Sequence, residues 1–239
     1  MKSVGIIGYK GFVGRSLFHG VNNRNEFHVT GIDRASFQDL RLKATYFDYL
    51  IHAGNPAKRF AANSNPQLDY LETVEKTKEI IQEFSFGRLI LISSLSCRTS
   101  LETVYGRNRL LCEELVREAG NSACLRLGPM FGEGRTQDTL HDLVAGNNIF
   151  YSSDTKYSYA SVNWVCEYIC NNLEQFENGD LQEIGASNWI TLKEISQTIQ
   201  SSSVFLGGND DQITEGFSDG PDAHKVLDFA KKMQLKARL

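Results

Sequence analysis

The sequence predicts an α/β fold, a doubly wound parallel sheet covered by helices on both faces, with a small C-terminal lobe. Three observations predict it. Short leucine and β-branched runs alternate with segments of helical period through the first half of the chain. The central runs are apolar throughout rather than alternating, as strands buried on both faces must be. The length of 239 residues suits one such domain with an appended lobe.

The elements follow in order. Residues 3–7 read as a first strand, and 14–22 as a helix whose Leu17, Phe18 and Val21 form one stripe. Residues 27–32 and 49–53 are strands, the second of them buried. Residues 63–84 read as one long helix, with Leu68, Leu71, Val74 and Ile81 at turn spacing. The run Arg-Leu-Ile-Leu-Ile at 88–92 is a central strand. A helix at 104–119 ends at Gly120 as its cap, and 123–127 returns to the sheet. Beyond Gly128 the pattern loosens. A loop at 128–134 precedes a short helix near 140–145, a strand at 157–162 and a helix at 163–176. Segments 181–184 and 191–199 repeat the alternation, and 222–233 is a terminal helix. Residues 201–203 and 207–211 read as exposed turns.

Composition narrows the function. A formal net charge of −4 gives no reason to expect nucleic acid or an anionic membrane as partner. No apolar run approaches the ~20 residues that cross a bilayer, and the first residues carry no signal-peptide core, so a cytoplasmic location is expected. Five cysteines, Cys97, Cys112, Cys124, Cys166 and Cys170, form no CxxC pair and no zinc-like cluster with histidine. They read as reduced thiols, with Cys166 and Cys170 on one apolar helix face, and no metal is expected.

Gly8-Tyr-Lys-Gly11-Phe-Val-Gly14 follows a strand and opens a helix, the context in which such spacing binds a dinucleotide. Gly8 permits the tight turn, Gly11 lets backbone approach a pyrophosphate, and Gly14 lets helix and strand pack closely. Phe12 and Val13 complete the helix N-terminus, whose free N–H groups face the phosphates. Asp33 ends the second strand 25 positions after Gly8. A carboxylate there accepts from both adenosine ribose hydroxyls and repels a 2′-phosphate, which favours NAD. Lys10 and Arg34 are placed to reach a 2′-phosphate, which leaves NADP open. The expectation is a Rossmann-type NAD(P)-binding domain over 1–130 and a small substrate-binding lobe over 131–239 interleaved with the core.

With four further segments the chain resembles the extended short-chain dehydrogenase/reductase superfamily, in its NAD-dependent epimerase/dehydratase branch. They are Asp48-Tyr-Leu-Ile-His-Ala-Gly54, Leu91-Ile-Ser-Ser94, Tyr105-Gly-Arg-Asn-Arg109 and Leu125-Arg-Leu-Gly-Pro-Met-Phe-Gly132. The segments Tyr157-Ser-Tyr-Ala-Ser-Val162 and Ile184-Gly-Ala with Thr191-Leu-Lys-Glu-Ile195 are similar to its C-terminal part. The resemblance covers residues 1 to about 200. It implies that Tyr105 exchanges a proton with a substrate hydroxyl while a hydride passes between that carbon and the nicotinamide, and that Ser94 binds the reacting oxygen. A phenol with an ordinary pKa of ~10 stays protonated at neutral pH, so this chemistry needs a cation beside it. The resemblance also implies that His52, Ala53 and Gly54 line the cofactor cleft, that Ser96 and Pro129 touch substrate, and that a homodimer forms through the helix bearing Tyr105.

The chain departs from that pattern where a lysine is expected. Arg109 keeps a positive charge one turn from Tyr105 and can orient ribose hydroxyls, but it cannot deprotonate, and its planar fork points differently from an ammonium. Thr73 and Pro129 each stand where the family has asparagine. The loop from Ser94 to Tyr105 is short, and the stretch from Asp33 to Asp48 is too short for a full strand–helix unit. His52 reads equally as a packed or a functional residue. Arg126 either neutralises a substrate phosphate or pairs with a carboxylate. Glu113 and Glu114 read as a solvated helix face. The resemblance implies NAD(P)-dependent epimerisation, dehydration or reduction of a sugar, a nucleotide sugar foremost; the alternative is a dinucleotide-binding sensor or assembly protein with little or no turnover.

Overall fold

The computed structural model describes residues 1–237; the last two residues of the expected lobe, Arg238 and Leu239, lie outside them. Among the described residues ten strands occur, β1 (Lys2–Ile7), β2 (Phe27–Ile32), β3 (Tyr46–His52), β4 (Ser85–Ser94), β5 (Ser122–Leu127), β6 (Met130–Phe131), β7 (Lys156–Tyr157), β8 (Ala160–Ser161), β9 (Asp180–Ile184) and β10 (Ile190–Thr191). Six form the central sheet in the order β2-β1-β3-β4-β5-β9, with β1 parallel to β2 and β3, and β3 parallel to β4. Val4, Ile6, Leu50, Ile51, Leu89, Ile90 and Leu91 are fully buried, so these strands are covered on both faces.

The chain forms two compact units. The first, Met1–Arg126 with Cys166–Gln182, holds most of the sheet and a core of Ile7, Ile32, Phe37, Leu50, Ile80, Leu91, Val116 and Cys124 among others. The second, Leu127–Val165 with the chain from Glu183 onward, has its own core, built on Leu140, Leu143, Ile190, Leu192, Ile195, Val226 and Ala230. It carries the helices Thr139–Ala145, Leu192–Thr198 and Lys225–Ala237 and two small sheets, β6 with β8 and β7 with β10.

Register aligns the site. Ile7 sits opposite both Ile32 and His52, and His52 opposite Leu91. Gly8, Asp33 and Ala53 therefore leave the sheet at one level. The chain runs from β1 to β2 on one side and resumes at β3 on the other. That reversal opens a crevice at the C-terminal ends of β1 and β3, where open α/β sheets bind ligands.

Several expectations change. The stretch after Asp33 holds one nine-residue helix, Arg34–Leu42, and then β3 itself, which starts at Tyr46. The sheet thus has β2 at its edge, without the strand that lies outside it in the 3-2-1-4-5-6 order. The long helix expected at 63–84 is broken into Arg59–Ser64, Pro66–Tyr70, a π-turn at Leu71–Glu75 and Lys76–Glu83. Pro66 has no N–H to continue a helix, and Asn65 caps the new start by accepting from the Leu68 amide at 3.2 Å. The strand expected at 157–162 is divided between two sheets as β7 and β8, and the 128–134 loop contains β6.

Candidate active site

The helix Phe12–Asn22 begins at Gly11, whose extended backbone makes it the N-cap. No side chain caps this end, and its first turn holds no acidic residue. The helices starting at Arg34, Val104, Thr139 and Leu192 are each capped, by Asp33, Thr103, Asp138 and Thr191. The first turn of this helix, with the amides of Val13 and Gly14, thus opens at the crevice end of the sheet. Gly8 has φ +79°, and a Cβ there would lie 2.6 Å from the Gly54 Cα and 2.7 Å from the Ala53 carbonyl. A Cβ on Gly14 would strike the Gly8 carbonyl. At Gly8 and Gly14 no side chain fits.

Asp33 is the N-cap of Arg34–Leu42. Its Oδ1 accepts from the Ala35 amide (3.0 Å), the Ser36 amide (2.9 Å) and the Ser36 hydroxyl (3.1 Å), and its Oδ2 from Lys10. The Lys10 ammonium, then the Ser36 amide, hold this carboxyl well below the usual carboxylate range. Arg34 extends into solvent and pairs with Glu72 at 2.9 Å.

His52 is fully buried at the end of β3. Its Nδ1 accepts from the Gly54 amide at 3.3 Å, which leaves Nε2 as donor to the Thr77 hydroxyl at 3.2 Å. Thr77 in turn donates to the Thr73 carbonyl at 2.7 Å. Burial, then the Arg109 charge, lowers the His52 pKa to about 3. The folded pKa lies below the ordinary 6.5, so the unfolded chain takes the proton first, and stability is lost as pH falls from 6.5 toward 3. The slope approaches ~1.4 kcal/mol per pH unit. Urea midpoints between pH 6.5 and 4.5 should fall less steeply for His52→Gln than for the natural protein; equal slopes would show that His52 does not carry this titration.

Ser94 ends β4, and its Oγ accepts from the Ser96 amide at 3.3 Å. Ser96 is buried at the start of the short helix Ser96–Thr99, its hydroxyl 3.4 Å from that of Ser94. Tyr105 lies in the first turn of the helix Val104–Ala119 and is buried. Its neighbour Gly106 is pressed on the carbonyls of Ser96 and Ser100, so closely that a Cβ would collide with both. That approach seats the tyrosine helix directly on the turn that follows Ser94.

Arg109 is 3% exposed. Its guanidinium stacks on the Tyr105 ring, 4.6 Å from the centroid, and donates to the Pro56 carbonyl in the loop after β3. Its second terminal nitrogen is buried without a partner, as are the Thr73 hydroxyl and both polar atoms of the Asn55 side chain. Thr73 sits in the π-turn, a deformation common at functional sites. Asn55, beside His52, carries no sequence signal beyond its place directly after Gly54.

Glu113 overturns its expected place on a solvated face. It is 3% exposed, accepts from the Ser93 hydroxyl at 2.5 Å, and takes Arg126 in a fork at 2.7 to 3.1 Å. Tyr105, Arg109 and Glu113 recur every four residues, so the charged stripe faces the sheet. For Arg126 this geometry favours the carboxylate pairing over a free cation. Cys97, 3.1 Å from Ser93, is pushed up to about 12 by burial and then by the Glu113 charge. All five cysteines are buried and unpaired. Pro129 lies in the second unit, where its carbonyl accepts from the Ala160 amide at 3.1 Å. Among the described residues there is no metal-binding cluster and no helix long and apolar enough to cross a membrane.

By sequence, no protein-family model and no curated protein matches the chain. Solved structures do match in fold. UDP-glucuronic acid 4-epimerase from Bacillus cereus, in complex with UDP-glucuronic acid and NAD, aligns over 99% of this chain and 100% of its own, with a TM-score of 0.78 and 15% identity. UDP-N-acetylglucosamine 4-epimerase from Methanobrevibacter ruminantium aligns over 100% and 99%, with TM-score 0.75 and 13% identity. The dTDP-4-dehydrorhamnose reductase of Yersinia enterocolitica aligns over 96% and 99%, with TM-score 0.73 and 16% identity. The chain has the Rossmann-type fold of these proteins over essentially its whole length.

Proposed function

We propose that the protein is an NAD(H)-dependent enzyme acting on a nucleotide sugar, of the epimerase/dehydratase or reductase type. One observation carries the reading: the helix after the glycine turn is left without a side-chain cap, at the crevice where the sheet order reverses. A pyrophosphate satisfies those amides and the partial positive charge of the helix end. The fit extends to the other half of the cofactor, since Arg109, Thr73 and Asn55 hold buried polar atoms that lack partners and suit ribose or amide oxygens. The fold's likeness to sugar-nucleotide epimerases and a reductase supports the substrate class.

When bound, the dinucleotide accepts a hydride from a sugar carbon or donates one to it. Tyr105 moves the proton between its Oη and the sugar oxygen, and Ser94 Oγ donates a hydrogen bond to that oxygen. Arg109 fixes the ring of Tyr105 and the loop at Pro56. It cannot release a proton, so protons leave Tyr105 toward substrate or solvent rather than through position 109. The first unit is assigned to the dinucleotide, and the second to substrate recognition, Pro129 included.

The reading includes a homodimer, supported by exposed Leu68, Leu71, Leu101 and Leu111 on and beside the helices that flank Tyr105, and a cytoplasmic location, supported by five free thiols. Light scattering and cell fractionation test these two parts. The chemistry is tested with a panel of UDP- and dTDP-sugars, following nicotinamide absorbance and product epimers. Tyr105→Phe should lower kcat by about 10²–10⁴-fold with dinucleotide affinity kept. Turnover that survives this change removes Tyr105 from the mechanism, and tight dinucleotide binding with no turnover of any sugar leaves a binding protein.

A further inference from the structure

Ser93, the residue before Ser94 on β4, is held by a chain of buried groups. Its hydroxyl carries one proton, and the Glu113 carboxylate, an acceptor only, takes that hydrogen bond at 2.5 Å. The 3.1 Å contact between Ser93 Oγ and Cys97 Sγ therefore runs the other way, with the thiol donating. Burial, then the Glu113 charge, raises the Cys97 pKa to about 12, so the donor keeps its proton through the neutral range. The order is Cys97 to Ser93 to Glu113, and Arg126 closes the chain with its fork. Ser93, Cys97 and Glu113 are all buried, where each bond of such a chain polarises the next.

Cys97 lies in the turn that joins Ser94 to the helix of Tyr105. The turn is closed on itself, since the amides of Arg98 and Thr99 both donate to the Leu95 carbonyl, at 2.9 and 3.0 Å. Its residues therefore shift together. The Ser96 amide of this turn donates to Ser94 Oγ at 3.3 Å, and Gly106 of the tyrosine helix presses on the Ser96 and Ser100 carbonyls. The turn thus touches both the Ser94 hydroxyl and the Tyr105 helix, and the thiol ties it back to β4. The Ser94 amide also acts on the Cys97 sulfur, favouring its charged form.

We propose that Cys97 is a positioning residue whose thiol, through Ser93 and Glu113, sets the separation between the Ser94 hydroxyl and the Tyr105 phenol. This rests on the roles proposed above for Ser94 and Tyr105. Cys97 is 2% exposed, so it meets neither dinucleotide nor sugar and acts on turnover rather than on affinity. A misplacement of about 1 Å between reacting groups costs about 10²-fold in rate.

Cys97→Ala removes the donor, Cys97→Ser keeps one, and Ser93→Ala removes its acceptor. Cys97→Ala should lower kcat by about 10- to 100-fold, with KM and the NADH Kd within about twofold of the natural protein. Ser93→Ala should behave in the same way, and Cys97→Ser should regain most of the loss. Amide hydrogen exchange over residues 94–106 should quicken by about tenfold in Cys97→Ala and stay near the natural rates in Cys97→Ser. A kcat loss below about threefold in either alanine variant overturns the inference, as does a loss carried by KM or Kd alone. Equal losses in Cys97→Ala and Cys97→Ser also overturn it, because the volume of the thiol would then matter and its hydrogen bond would not. If the natural protein turns over no sugar, the proposed function fails. Exchange then decides this inference by itself, and natural protection in Cys97→Ala overturns it.

Discussion

Glu113→Ala should destabilise the protein by about 3–5 kcal/mol, the range for removing one member of a buried ion pair. The loss strips Arg126 of its carboxylate and leaves the Ser93 hydroxyl without its acceptor, both in the interior. The cost comes from breaking the pair rather than from any surplus of charge attraction. Replacing Glu113 and Arg126 together with leucine should therefore recover much of it. Urea denaturation measures both variants, with Glu114→Ala as a control expected within about 0.5 kcal/mol. If Glu113→Ala unfolds like the control, the buried pair carries no weight. The damage should also reach the candidate chemistry, because Ser93 precedes Ser94 and Glu113 shares a helix face with Tyr105.

Gly8→Ala should cost about 2–5 kcal/mol and abolish dinucleotide binding. A left-handed backbone costs a residue with a Cβ about 1–2 kcal/mol, and overpacking adds about 1–3. Both apply at Gly8, where φ is +79° and the added carbon would meet Gly54 and Ala53 at 2.6 to 2.7 Å. Gly120→Ala separates the two contributions. Its φ is +74°, but nothing lies within 4 Å, so only the backbone strain remains. Thermal unfolding should rank Gly8→Ala well below Gly120→Ala. Equal losses would mean that the ends of β1 and β3 can part to admit a methyl group, and that the crevice is not held by contact at Gly8.

These two changes differ in what the sequence reveals of them. Gly8 is legible because local chemistry requires it: a strand, a tight turn and a helix succeed one another within fourteen residues, and only glycine satisfies the turn. Glu113 is misread because its neighbour Glu114 makes the pair look like a charged surface. Nothing local tells that Arg126, on β5, arrives opposite one of them. Pro66 was available as a helix breaker within 63–84, and the π-turn after it carries no comparable signal.

The sequence by itself determines the alternation of strands and helices, the glycine turn, and the positions of Ser94 and Tyr105 at the ends of their elements. Each of these follows from periodicity or backbone geometry within a dozen residues. Only the tertiary structure decides that Asp33 is tied to Lys10, that Arg109 clamps the Pro56 loop against Tyr105, and that Glu113 is buried. The physical reason is that a charged side chain takes its role from whichever donors or acceptors surround it once water is excluded. Those partners lie 13 to 53 positions away along the chain for Arg126 and Pro56, beyond the reach of any local pattern.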